Sequence, residues 1–131
     1  MDLVGEDKEA ITIIRVNQGE FRDRLLNRYD KCCLCGVSSP LLLTASHIKP
    51  WAASEPSEKL DVNNGLLMCP NHDKLFDKGF ISFDDLGNIM ISSKLVSNDQ
   101  IFMNVNGKMH ISVIEENKKY LDYHRTNVFQ G

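Results

Sequence analysis

Two short spacings constrain this chain more than anything else in it. Cys32-x-x-Cys35 is followed, after a 33-residue gap, by Cys69-x-x-His72. A two-residue spacer lets a tight turn aim two side chains at one ion, and Gly36 suits such a knuckle. Two such pairs complete a tetrahedral Cys3His set of the kind that holds structural Zn²⁺. A redox Cys-x-x-Cys would need a strand–helix setting. Here the pair lies between Arg-Tyr-Asp-Lys and Gly-Val-Ser-Ser-Pro, a loop-like context. Cys33 is left over as non-ligating, with replacement of Cys32 as its alternative.

At 131 residues the chain is sized for one domain. Charged residues make up 25% and hydrophobic residues 42%, which excludes a disordered chain and a coiled coil. No apolar run approaches a membrane span, and the first thirty residues lack a secretory pattern, so the expected setting is cytoplasmic, with no membrane partner. The net charge of −3 argues against a strong stand-alone nucleic-acid reader. A catalytic module that touches a few phosphates remains compatible with it.

Residues 1–10 are expected to fray. Phe21, Leu25, Leu26 and Tyr29 recur at helical steps within a segment from Ile11 to Tyr29. Arg22, Arg24 and Arg28 between them read as a solvated face, with phosphate contact as the alternative. Leu41 to Ser46 reads as a buried strand that delivers His47, broken by Pro50-Trp51, with Trp51 as a packed lid. Residues 52–62 read as a polar loop and Asn63-Asn64-Gly65 as a turn. Leu66 to Met68 is a second strand. Pro70 opens a helix from Asn71 to Lys78, with Gly79 as its left-handed stop. Residues 81–83 and 89–92 form a hairpin, residues 101–114 another, and residues 115–129 a closing helix. His110 and His124 read as structural, with phosphate contact by His124-Arg125 as the alternative.

Between the knuckles, His47 stands at a strand end and Asn64 in a turn. Asp73 and Asp77 lie four apart, on one face of the predicted helix. His72 and Asp73 differ by about 100° around it, so neighbouring residues can serve two different ions. Carboxylates at that spacing suit Mg²⁺ or Mn²⁺. A neutral imidazole on a strand suits a general base. Together these parts fit hydrolysis of a phosphodiester.

Ser46-His47-Ile48-Lys49-Pro50-Trp51, Asn64-Gly65-Leu66-Leu67-Met68-Cys69 and His72-Asp73-Lys74-Leu75-Phe76-Asp77-Lys78-Gly79 resemble the HNH endonucleases, closest to their restriction-type branch. The resemblance covers about residues 17–95. It implies an α+β fold: a ββα-metal core stapled by the zinc site, flanked by an N-terminal helix and C-terminal β-hairpins, with residues 96–131 as an extension. It implies that His47 is the general base, that Asn64 braces the loop and orients the His47 ring, and that Asp73 stands at the family's last ligand position. Asp77 matches a further ligand position. Ser46 stands where many members carry an Asp or His ligand, and Asp73 where many carry His. The implied products are a 5′-phosphate and a 3′-hydroxyl. Lys49, Lys74 and Lys78 are candidates to neutralise DNA phosphates.

Two function classes follow. One is a metal-dependent DNA endonuclease. The other is a non-catalytic, zinc-stapled module that binds nucleic acid or protein. Loading zinc on three thiolates and one further divalent cation leaves a net charge near −2, obtained as −3 + 2 − 3 + 2. Weak, salt-sensitive DNA affinity is therefore expected, with specificity supplied by a dimer mate, a partner or another domain.

Overall fold

The computed structural model describes residues 5–131. Helix α1 runs over Gly5–Arg28, 24 residues, so the segment expected to fray is helical from Gly5 onward. Residues 1–4 lie outside the described residues. Phe21 and Leu25 of α1 are fully buried and pack against the core.

Strands β1 (Thr44–His47) and β2 (Gly65–Met68) form an antiparallel pair, with Ser46 opposite Leu66 and His47 opposite Gly65. All of β2 is buried. Helix α3 (Pro70–Asp77) follows directly, with Cys69 as its N-cap and Pro70 in its first turn. Proline fits there because its missing N–H has no intrahelical partner to lose. Gly79 ends the helix with φ +75°, the left-handed stop the sequence predicts. Strands β3 (Ile81–Phe83) and β4 (Ile89–Ile91) form a second antiparallel pair. The ββα unit is thus present, with α1 behind it.

Three expectations need correction. Leu41 and Leu42 are not buried strand: they sit in a 3₁₀ turn over Pro40–Leu42, 95% and 52% exposed. Pro40 fixes that turn, the Arg22 guanidinium takes the carbonyls of Pro40 and Leu43, and pairing starts only where Thr44 meets Met68. Residues 52–62 are not plain loop. They include a 3₁₀ turn at Trp51–Ala53 and a one-turn helix α2 (Pro56–Lys59), closed by a capping box between Glu55 and Glu58.

Residues 101–114 are not a hairpin. Helix α4 (Ser97–Phe102) runs into a turn with Asn104 at φ +56°, and the one bridge the segment makes is to Asn88 outside it, from His110. The carbonyls of Met103 and Asn104, which a strand ladder would need, are used by His72 instead. The closing helix α5 (Lys118–Asn127) is present. No helix among the described residues is long and apolar enough to cross a membrane.

His124 on α5 is 1% exposed. Its ring stacks on Phe76 at 3.8 Å, Nε2 donates to the Phe76 carbonyl at 2.9 Å, and Nδ1 pairs with the Ser82 hydroxyl at 2.8 Å. Burial holds its pKa down to about 4, against 6.5 for a free imidazole. Below pH 6.5 the unfolded chain therefore takes up a proton that the folded chain refuses. Stability should fall by about 3 kcal/mol as the pH drops from 6.5 to 4. Urea unfolding across that range checks this, and His124→Gln should flatten this part of the pH dependence.

Candidate active site and zinc site

The sulfurs of Cys32, Cys35 and Cys69 and a ring nitrogen of His72 lie within 4.8 Å of one another. A tetrahedral zinc site with Zn–S near 2.3 Å has ligand–ligand edges of about 3.8 Å. The group needs to contract by less than about 1 Å at its widest edge. The local backbone explains the convergence. Gly36, at φ +83°, lets the knuckle turn, and the Cys32 amide closes it on the Val37 carbonyl at 2.8 Å. The Cys33 amide then docks the knuckle on β2 through the Leu67 carbonyl at 2.9 Å. Cys33 itself stays outside the cluster, so Cys32 is the member.

His72 is 1% exposed, with Nε2 at 3.0 Å from the carbonyls of both Met103 and Asn104. A carbonyl only accepts, so Nε2 carries the proton. Nδ1, 3.6 Å from the Cys32 sulfur, keeps a free lone pair toward the cysteines. The donor set fits zinc, with a protein-built outer hydrogen bond on the ring. The sequence carried one sign of that outer support, Asn104 as a residue tolerant of the left-handed turn, but it lay inside the expected hairpin.

About 100° further round α3, Asp73 turns to a different cleft. His47, Ser46, Pro50, Trp51, Asp73 and Asp77 line this cleft of about 190 Å³. The His47 imidazole lies on the Phe21 ring, with centroids 3.7 Å apart and planes 14° from parallel. Trp51 meets it edge-on at 5.4 Å. Gly65 makes this seat: a Cβ there would come 2.6 Å from Phe21 Cζ and 2.8 Å from Leu25 Cδ1. Nε2 of His47 lies 2.8 Å from the Lys59 carbonyl, so Nε2 holds the proton and Nδ1 is the basic atom. Burial pushes the His47 pKa below its usual value, with the Lys59 carbonyl pulling the other way.

Asn64 is wholly buried. Its Oδ1 accepts from the Lys49 amide at 2.8 Å, and its Nδ2 donates to the Glu58 carbonyl at 3.1 Å and the Ser54 hydroxyl at 3.3 Å. It therefore pins both ends of the 49–58 loop. It makes no hydrogen bond to the His47 ring; the Lys59 carbonyl, one residue beyond the loop Asn64 holds, is the group that orients it. Sequence reasoning missed Lys59 because a backbone carbonyl leaves no mark in residue type. It missed Phe21 as a site residue because a core aromatic on a helix looks like any other.

Asp73 is half-buried and accepts a hydrogen bond from the Ser46 hydroxyl. Burial raises its pKa, the Ser46 hydrogen bond opposes that, and the nearby Asp77 charge adds to the rise. Asp77 is exposed at the cleft edge. The two carboxylates and His47 share the cleft. Among the described residues, though, the one group of three or more potential ligands gathered at a point is the Cys3His cluster.

The three lysines proposed for phosphate contact lie in different places. Lys49 is paired with Glu58 at 2.9 Å and lies over the Tyr123 ring, lining a separate cleft with α5. It lies two residues past His47, beyond the end of β1, and does not line the cleft that holds Asp73. Lys74 and Lys78 are exposed on and just after α3, and neither lines the His47 cleft.

Comparison with known proteins agrees with this architecture. Residues 32–84 match the family model described as HNH endonuclease. No curated protein matches the chain in sequence. Among solved structures, a chain titled "Modification dependent TagI restriction endonuclease" is similar in fold, with TM-score 0.53 and 20% identity, over 78% of this chain and 34% of that one. This chain therefore spans about a third of that enzyme's length. The segment that bears the Cys3His group, the β1–β2 pair and α3 is thus the part of the chain that matches the HNH endonuclease family.

Proposed function

We propose that the chain is a metal-dependent DNA endonuclease in which His47 is the general base and Asp73, with Asp77, holds the divalent cation. The observation that supports this most is the His47 ring. Its proton is committed to the Lys59 carbonyl, its other nitrogen is free, and it shares a cleft with two carboxylates that have no cationic salt-bridge partner among the described residues.

In this reading His47 Nδ1 takes a proton from water as the water oxygen bonds to phosphorus. The P–O3′ bond breaks, the electron pair stays on O3′, and O3′ leaves as the 3′-hydroxyl after protonation from solvent. The other product keeps the 5′-phosphate. Phe21 and the Lys59 carbonyl hold the base in one orientation. Ser46 holds the Asp73 carboxylate through its hydroxyl, at the position where many family members carry a ligand. The donor set is all oxygen, and a half-buried carboxylate with a like charge beside it favours a hard cation. Mg²⁺ or Mn²⁺, when bound, would supply positive charge to the scissile phosphate and the departing oxygen.

The test is nicking of supercoiled plasmid by zinc-loaded protein with Mg²⁺, with Mn²⁺ and with neither, on modified and unmodified DNA. Cleavage should require the added cation. Asp73→Asn should raise the concentration needed for half-maximal rate by at least about tenfold, the range in which loss of a carboxylate at a metal site is felt. DNA bound but never cut under any of these conditions would return the chain to the zinc-stapled binding module. Cutting that is indifferent to both the cation and Asp73 would overturn the metal assignment.

A further inference from the structure

On the other side of His47 lies a second cleft of about 280 Å³, whose wall on the α1 side is Gln18, Phe21 and Arg22, facing Thr44 and His47. Its helical wall lies outside residues 32–84, the segment matched by the HNH model. Arg22 is half-buried there, and both of its terminal nitrogens donate to backbone carbonyls, those of Leu43 and Pro40. Carbonyls fix the guanidinium without neutralising it, and Arg22 enters no salt bridge among the described residues. Of its neighbours, Arg24 pairs with Glu20 at 2.8 Å, and Arg28, which donates to the neutral Asn63 amide at 2.7 Å, does not line this cleft. A cation that is rigidly placed, uncompensated and aimed along a cleft edge is the arrangement that binds a phosphate.

The same face of α1 continues away from the cleft. With about 100° per residue, Arg15, Gln18 and Arg22 fall within an arc of about 60°. From residue 8 to residue 28 the acidic residues are Glu9, Glu20 and Asp23, and these lie about 80–140° round the helix from Arg15. Arg15 is exposed and, like Arg22, forms no salt bridge among the described residues. Seven residues at 1.5 Å rise set Arg15 and Arg22 about 10 Å apart along the axis.

We infer that Arg22, Gln18 and Arg15 of α1 form a phosphate-binding edge that grips the DNA backbone on the flank of the scissile bond, beyond His47. The nuclease reading above identifies the polyanion, and the edge is what an acidic chain needs: a local strip of positive charge where the net charge supplies none.

The test is binding of a 30-base-pair duplex by zinc-loaded His47→Gln protein, followed by fluorescence anisotropy between about 50 and 200 mM KCl, a range in which phosphate contacts dominate the affinity. Arg15→Glu and Arg22→Gln together should weaken binding by at least about tenfold at 100 mM. They should also reduce the slope of log affinity against log salt by about 0.9 for each contact removed. Lys94→Glu and Lys108→Glu, both exposed and outside the cleft, should leave that slope unchanged. Arg15→Glu alone carries the test if Arg22→Gln loosens the 40–43 turn, because the Arg15 side chain makes no hydrogen bond or ion pair among the described residues. An unchanged slope in the α1 variants, an equal loss in the control variants, or no duplex binding by the parent overturns the proposal. The wild-type cleavage assay separates the two readings. Loss of binding in the α1 variants with no cleavage by wild type sinks the nuclease and keeps the edge. Cleavage with an unchanged salt slope does the reverse.

Discussion

His47→Gln is expected to lower the rate of DNA cleavage by about 10²–10⁴, the usual contribution of a positioned general base. Glutamine can still donate to the Lys59 carbonyl and cover the Phe21 ring, but it has no basic nitrogen to take the proton from water. His47→Ala should lose as much activity and also open space beside Phe21 and Trp51, large enough to admit a small base. Added imidazole should then restore part of the rate in His47→Ala and none in His47→Gln. The acidic limb of the pH–rate profile gives a second readout. Burial holds the His47 pKa below the ordinary 6.5, so the neutral ring persists to lower pH and the limb should fall below that value. Plasmid nicking rates across pH and across these variants check all three points. A His47→Gln protein that cuts at the wild-type rate would remove His47 from the chemistry.

Cys69→Ser is expected to abolish zinc retention and the cooperative folding of the β1–β2–α3 unit. Apparent zinc affinities in small structural sites correspond to about 10–16 kcal/mol, while whole domains are stable by about 5–15 kcal/mol, so losing the ion can consume the margin entirely. The effect should be larger here than for an ordinary buried cysteine. Cys69 joins the end of β2 to the start of α3, and the 32–35 knuckle reaches β2 through the Cys33–Leu67 hydrogen bond. Metal analysis should find about one zinc per wild-type chain and less than a tenth of that in the variant, in keeping with a closed tetrahedral site. Thermal melts with and without a chelator complete the measurement. A Cys69→Ser protein that melts cooperatively within a few degrees of wild type would show that the apolar core suffices without the staple.

The Cys3His cluster was legible because ligand spacing is a local property: Cys32, Cys35, Cys69 and His72 announce their geometry within four residues at each end. Helix α3 was legible for the same reason, with Pro70 to open it and Gly79 to stop it. What the sequence hid was tertiary. Leu41 and Leu42 look like core, yet Pro40 and the Arg22 guanidinium hold their backbone in a surface turn. Residues 101–114 have strand-like composition, yet two of their carbonyls are taken by His72 from 31 and 32 residues away. The orienting group for His47 belongs to the backbone of Lys59, and its floor is Phe21, 26 positions earlier in the chain. None of these partners could be chosen from residue type alone.

Gly65 sets preferences at its position against each other. It occupies a fully buried strand, where β-branched residues pair best and glycine ranks among the poorest. The ring beneath His47 nevertheless fills the space where any side chain would go. A set of variants at position 65 ordered by sheet-forming tendency would therefore run backwards when ordered by cleavage, with valine, the residue a sheet would choose, displacing the aromatic floor furthest. Glycine at such a site reflects an excluded volume: the His47 ring keeps its bearing because the strand opposite has nothing to add.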